Sequence, residues 1–307
     1  GVVYLSARRQ AVDDLRQALY DAFYESDIPF KPTEAQLKHD LQDKRALILL
    51  DDGAWTREEV ETVLDAAPAC ACLLSSTERR LWGEGTSMAL EGLPEEEALA
   101  LIEREMGRSL TPDEQPVAQA LWRDTQGNPL RLIQVVAEAR EEGRRLTEID
   151  AHEEARSPYQ AFDTLSDSQQ RIIGALAALN GAPIHTEHLA ALTGEANAQV
   201  ALQALSQRGL AQAHSPRYTL TGGLEQGLQQ AWDLEPWLER ALDHFTAWAE
   251  EHRQAPQRLL DDADAMLAIL AWAVKAGHWR EVLRLGHALE ASLSLGKRWA
   301  AWEQVLN

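Results

Sequence analysis

RALILLDDGAW, residues 45–55, carries four apolar residues in a row, Leu47 to Leu50, and ends them on two acids, Asp51 and Asp52. An apolar run of this length reads as a strand buried on both faces, as in a parallel sheet. Ligands bind outside the carboxyl ends of such strands. Two carboxylates there can face a metal-bound phosphate. One Asp holds Mg²⁺ through water and the other orients an attacking water, which is the Walker B pattern. The same residues also describe a core strand that ends in an acidic turn, and the run alone does not separate the two readings.

On either side the chain alternates. Val2 to Leu5 read as a strand, Gln10 to Tyr24 as a helix with Val12, Leu15, Leu19 and Phe23 on one face, and Glu34 to Gln42 as a short helix. A helix over Arg57 to Asp65, a strand over Cys70 to Leu74 and a short strand over Ser87 to Leu90 follow. This β-α-β order argues for a parallel α/β sheet.

After Leu93 the pattern becomes helical. Pro94 opens a helix whose Glu95, Glu96 and Glu97 suit the N-terminal dipole. Thr111 is placed as the N-cap of a second helix, running to about Thr125, with Glu114 three residues on. Gly127-Asn128-Pro129 breaks the pattern before a third helix from Leu130 to about Glu142, and a charged helical linker spans Arg144 to Arg156. Ser166 and Thr186 cap two further helices, and a third spans Asn197 to Arg208, ending at Gly209 as a C′ glycine. Residues 210–213 and 217–220 flank His214-Ser215-Pro216 as a hairpin. Three helices followed by a hairpin make a winged helix. From Leu234 onward the chain is helical and Trp-rich. Gly277-His-Trp279 and Gly296-Lys-Arg-Trp299 echo each other as turn-then-helix units of a paired-helix solenoid.

Composition bounds the function. The formal net charge of −20 and a pI near 4.8 repel phosphate backbones. The helix Asn197 to Arg208 carries one basic residue, Arg208, and the wing adds Arg217, so direct nucleic-acid binding is disfavoured. No apolar run is long enough to span a membrane, and no signal peptide is expected. Cys70 and Cys72 read as core cysteines on one face of a strand, in keeping with a reducing cytoplasm. His185 and His188 lie around a helix start with no third ligand, so capping is the better reading than zinc.

The order of parts resembles the NB-ARC group of signal-transduction ATPases with numerous domains (STAND). The resemblance rests on Leu49-Leu50-Asp51-Asp52, Cys72-Leu-Leu-Ser-Ser76, Leu93-Pro-Glu-Glu-Glu-Ala-Leu99 and Gly127-Asn-Pro-Leu130, then a winged helix and helical repeats. It implies an α/β plus all-α fold. Residues 1–93 would be a partial P-loop NTPase parallel sheet, 94–156 a helical subdomain, 157–233 a winged helix, and 234–307 the start of a solenoid like tetratricopeptide repeats. It also implies ATP or ADP with Mg²⁺ as cofactors. Asp51 would be the Mg²⁺-side acid and Asp52 the water-orienting acid. Gly127 and Pro129 would match the GLPL motif near the nucleotide base, with Asn128 in place of Leu.

Three positions depart from the family pattern. The Walker A loop G-x-x-x-x-G-K-[ST] is absent from these residues, and its family position is ahead of Val2, so it is expected upstream of Gly1. Where the family has Thr-Thr-Arg facing the γ-phosphate, this chain reads Ser75-Ser76-Thr77-Glu78-Arg79, leaving Ser76, Thr77 and Arg79 as candidates. Thr221 stands where the His of Met-His-Asp would hold the ADP β-phosphate. The function implied is a switch that is closed with ADP, oligomerises on activation and meets a protein partner or ligand through its C-terminal helices. Two alternatives stand beside it: a non-catalytic scaffold that has lost nucleotide control, and a winged-helix transcriptional regulator.

Overall fold

In the computed structural model, Val2–Ser6 (β1), Leu47–Asp51 (β2) and Ala71–Leu74 (β3) pair in parallel in the order β1-β2-β3. The structure describes residues 1–6, 10–26, 28–51, 55–76, 85–141, 143–151, 162, 165–214, 216–222 and 224–306. They fall into two compact units. One comprises Gly1–Met88, Ala249–Ala263 and Leu283–Asn307; the other comprises Ala89–Trp248 and Asp264–Val282.

In the first unit, Val12–Asp21 (α1) and Glu34–Leu41 (α2) connect β1 to β2, and Arg57–Ala66 (α3) connects β2 to β3. Both crossovers step the same way across the sheet. Right-handed connections then place all three helices on one face. Leu5, Ile48 and Leu50 pack there with Leu15, Leu19, Leu37, Leu41, Val60 and Val63 in one core. The other face stays open, with Val2 66% and Leu73 61% exposed. The expectation that Leu47 to Leu50 are buried on both faces is therefore corrected. Ile48 and Leu50 are buried, whereas Leu47 is exposed and Leu49 half-buried. Local sequence records apolarity, not the direction of the next crossover. Cys72 sits in β3 packed on this core, and burial pushes its thiol up to about 11, as suits an inert core cysteine.

Helices α2 and α3 start on capping boxes, Thr33 with Gln36 and Thr56 with Glu59, which satisfy N-terminal amides that would otherwise be orphaned. The last helix, Trp299–Leu306 (α15), has no such residue of its own. Its cap comes from α1. Asp14, only 4% exposed, accepts the N–H groups of Ala300 at 2.7 Å and Ala301 at 3.3 Å. Arg298 lies 3.7 Å from the same carboxylate, Lys297 pairs with Asp21 at 2.9 Å, and the Trp299 indole donates to Gln17 at 2.9 Å.

In the second unit, Glu95–Met106 (α4), Gln115–Asp124 (α5) and Pro129–Glu141 (α6) surround Ala98, Ile102, Ala118, Leu121, Leu132 and Val136. Residues 87–90, expected as a strand, form none: Met88 and Leu90 are exposed, and no strand pairs with them among the described residues. Helix α5 starts at Gln115 rather than just after Thr111. Glu114 draws in the Thr111 N–H and hydroxyl, both at 3.0 Å, and is itself clasped by Arg108 through two contacts of 2.7 Å, so the chain makes a turn before the helix. Of the linker expected over 144–156, a single 3₁₀ turn, Leu146–Glu148, is described, and residues 152–156 lie outside the described residues.

Asp167–Ala178 (α7), Thr186–Thr193 (α8) and Ala198–Gln207 (α9) build the next block, with Ile184–His185 (β4), Ala211–His214 (β5) and Arg217–Leu220 (β6) in the antiparallel order β4-β6-β5. Ser166 caps α7 in a capping box with Gln169, as expected. Thr186 is the first residue of α8 instead of its cap. His185 takes that role, its ring Nδ1 accepting from the Glu187 N–H at 3.2 Å. The two-residue strand β4 escaped the sequence reading. Glu225–Ala231 (α10), Glu235–Glu251 (α11), Pro256–Asp261 (α12), Ala263–Ala276 (α13) and Trp279–Leu295 (α14) complete the helical run. Within the second unit α11 packs on α7, where Gly174 leaves room for Trp237: a Cβ there would sit 2.5 Å from the indole nitrogen.

Candidate functional site

Asp51 ends the central strand. Leu50 before it is fully buried and fixes the strand, so the carboxylate projects at the carboxyl edge of the sheet. Strand register pairs Tyr4 with Leu49 and Ser6 with Asp51. The N–H of Ser75 donates to the Leu50 carbonyl at 2.9 Å, carrying the β2–β3 pairing one residue past β3. These contacts bring three side chains together. Tyr4 donates its phenol O–H to Asp51 Oδ2 at 3.0 Å, and Ser75 donates its hydroxyl to Asp51 Oδ1 at 2.6 Å. The two hydroxyls reach different carboxylate oxygens, from opposite flanking strands.

Among the described residues the set includes one carboxylate and two hydroxyls, all hard oxygen. Mg²⁺ keeps several waters and is bound through one or two carboxylates plus substrate phosphates, so the set fits that ion. No cluster of three His, Cys, Asp or Glu side chains able to hold a metal occurs among the described residues. Ser76 is exposed, one residue beyond Ser75. Asp52, Thr77 and Arg79 lie outside the described residues.

The remaining sequence candidates belong to the second unit. Gly127 turns the chain between α5 and α6 at φ +68°, where a Cβ would sit 2.5 Å from the Leu93 carbonyl. Its own carbonyl accepts the Leu93 N–H at 2.8 Å, and the Trp122 indole donates to the Leu93 carbonyl at 2.8 Å. Asn128 Oδ1 accepts the Arg131 N–H at 3.2 Å as the cap of α6, and Pro129 occupies the first helical position. Turn, cap and first position account for Gly127, Asn128 and Pro129 by chain geometry. Thr221 follows β6. It is 2% exposed, its N–H donates to the Leu210 carbonyl at 3.1 Å, and its hydroxyl oxygen is buried with no hydrogen-bond partner among the described residues.

Helix α9 presents Gln199, Val200, Gln203 and Gln207 to solvent, an uncharged face. Arg208 at its end is 3% exposed and ion-paired with Glu141 at 3.4 Å and with Glu138 at 4.0 Å on α6. The one cation of this helix is thus spent on holding the block to the helical subunit core.

Sequence reasoning missed Tyr4 and Ser75, which matter through cross-strand register that no local pattern reveals. His185 caps α8 as the capping reading expected, and His188 Nδ1 further meets His244 Nε2 at 2.9 Å, edge-on to the Trp248 ring at a centroid distance of 4.7 Å.

No protein-family model matches the chain, and no curated protein matches it. Among solved structures, the chain is similar to the crystal structure of a STAND protein with a tetratricopeptide repeat sensor from Pyrococcus horikoshii. The TM-score is 0.50 at 15% sequence identity, covering 100% of this chain and 61% of that one. At that identity the likeness is one of fold, and the chain spans 61% of the length of its structural neighbour.

Proposed function

We propose that this chain is part of a STAND-type signal-transduction switch controlled by ATP or ADP with Mg²⁺. The observation that carries this reading is Asp51 at the carboxyl edge of a central parallel strand, its two oxygens held by hydroxyls from both neighbouring strands. In this reading Asp51 would help to hold Mg²⁺ through water, Asp52 would orient the attacking water, and Ser76, Thr77 and Arg79 would be the candidates for the phosphates. Gly127, Pro129 and Thr221 contribute from the helical and winged-helix parts, ADP holds the protein closed, and activation leads to oligomerisation. The C-terminal helices meet a protein partner or ligand. Such control requires that nucleotide bind the closed and open states differently. The whole-chain likeness to a STAND fold supports the reading.

A scaffold that keeps the fold without nucleotide control is the second reading. It is favoured by the enclosed Thr221 hydroxyl and by the purely geometric roles of Gly127 and Pro129. A winged-helix DNA reader is disfavoured by the buried, paired Arg208 and the neutral face of α9.

The test is to denature purified full-length protein and identify released nucleotide by chromatography, then to repeat it with Asp51→Ala. Co-purifying ADP, with Mg²⁺-dependent affinity lost in Asp51→Ala, supports the switch. No nucleotide, together with no thermal shift on adding MgATP or MgADP, supports the scaffold.

A further inference from the structure

We infer that residues 297–306, helix α15 with its two-residue lead-in, form a latch that opens and closes on α1 while the sheet stays folded. The inference does not depend on the nucleotide reading. Polar contacts hold the closed state. Asp14, Gln17 and Asp21 stand at i, i+3 and i+7, on one face of α1. All three meet one short stretch: Asp14 the Ala300 and Ala301 amides and Arg298, Gln17 the Trp299 indole, and Asp21 the Lys297 ammonium. Apolar burial adds little to them. Ala301 is the one buried residue of α15 among those described, whereas α14 before it buries Leu285, Ala288, Leu289 and Leu293. An element with few buried apolar contacts opens at a lower free energy than the core it rests on.

Two features work against closure. At the end of α14 the Lys297 N–H donates to the Ser294 carbonyl at 3.1 Å and the Arg298 N–H to the Leu293 carbonyl at 2.9 Å, the pattern of a Schellman turn. Its left-handed position, usually glycine, is Lys297 at φ +55°, a conformation that a lysine adopts at a cost. The same lysine supplies the ammonium that meets Asp21, so the ion pair holds a strained joint. The Trp302 indole N–H is buried with no hydrogen-bond partner among the described residues, and opening returns it to water. Charge-assisted bonds to α1 thus oppose backbone strain and an unsatisfied donor, and the segment has two states instead of one rigid join.

The test is native-state amide exchange of full-length protein, read by mass spectrometry at rising urea below the unfolding transition. Peptides covering 297–306 should show less protection than peptides covering β2, with a weak dependence on urea, the mark of a local opening. Asp21→Asn keeps the oxygen that accepts from Gln17 and removes the charge. It should speed exchange over 297–306 about tenfold. Asp21→Lys combined with Lys297→Asp rebuilds the pair in reverse and should return most of the protection, whereas Asp21→Lys alone should not. Protection and urea dependence over 297–306 equal to those of β2 would overturn the latch, because α15 would then leave only when the whole unit unfolds. Unchanged exchange in Asp21→Asn would also overturn it, because α1 would not be the catch.

Discussion

Asp14 is a charge that the fold can bury because two amides and a guanidinium meet it. Asp14→Ala leaves the Ala300 and Ala301 amides without their acceptor and should destabilise the protein by about 2 kcal/mol, read as a lowered midpoint in urea. Asp14→Asn, which retains an acceptor oxygen, should lose less; equal losses would show that capping is not what the residue does. Gly127 is a second critical position. Ala there must adopt φ +68° with its Cβ against the Leu93 carbonyl, so Gly127→Ala should cost more than about 1 kcal/mol in the same measurement. A neutral outcome would mean that the turn relaxes freely.

At the scale of elements, α8 meets α11 where His188 Nδ1 lies 2.9 Å from His244 Nε2. Burial, and next the nearby His188, push the His244 imidazole down to about 4 from an ordinary value of 6.5. The unfolded chain therefore binds more protons between those values, so stability falls as the pH drops from about 6.5 toward 4. Melting curves from pH 7.5 to 4.5 should show this loss, and His244→Gln should reduce its slope. An unchanged slope would assign the acid sensitivity elsewhere. Glu114 acts lower: its hydrogen bonds to Arg108 hold its carboxyl down to about 2, so its contribution is present above its ordinary value of 4.5 and is lost as the pH falls toward 2.

These elements also show what could be read in advance. Strands β1 to β3 and helices α1 to α3 followed from apolar runs and helical spacing, because those signals are local. The start of α5 did not, because the Arg108–Glu114 clasp reshapes a segment whose local signal pointed to Thr111. Strand β4 was too short for any periodicity. In the site, Asp51 was legible as the acid ending an apolar run. Tyr4 and Ser75 became visible only once three strands were set in register.

At the scale of the whole molecule, the formal net charge of −20 sets a repulsive field on the compact state. Salt should screen it, so the melting temperature should rise by a few degrees from about 10 mM to about 150 mM NaCl, where the Debye length shrinks from about 30 Å to about 8 Å. A fall over that range would mean that ion pairs such as Arg284–Glu250 outweigh the net field.

The first compact unit has a further consequence during synthesis. It is assembled from Gly1–Met88, Ala249–Ala263 and Leu283–Asn307, and Asp14 meets the amide of a residue made 286 positions later. At roughly 5 to 20 residues per second, the nascent helix α1 waits about 15 to 60 s for the segment that closes over its carboxylate. Throughout that interval the Asp14 carboxylate lacks the two amides and the guanidinium that meet it in the finished fold.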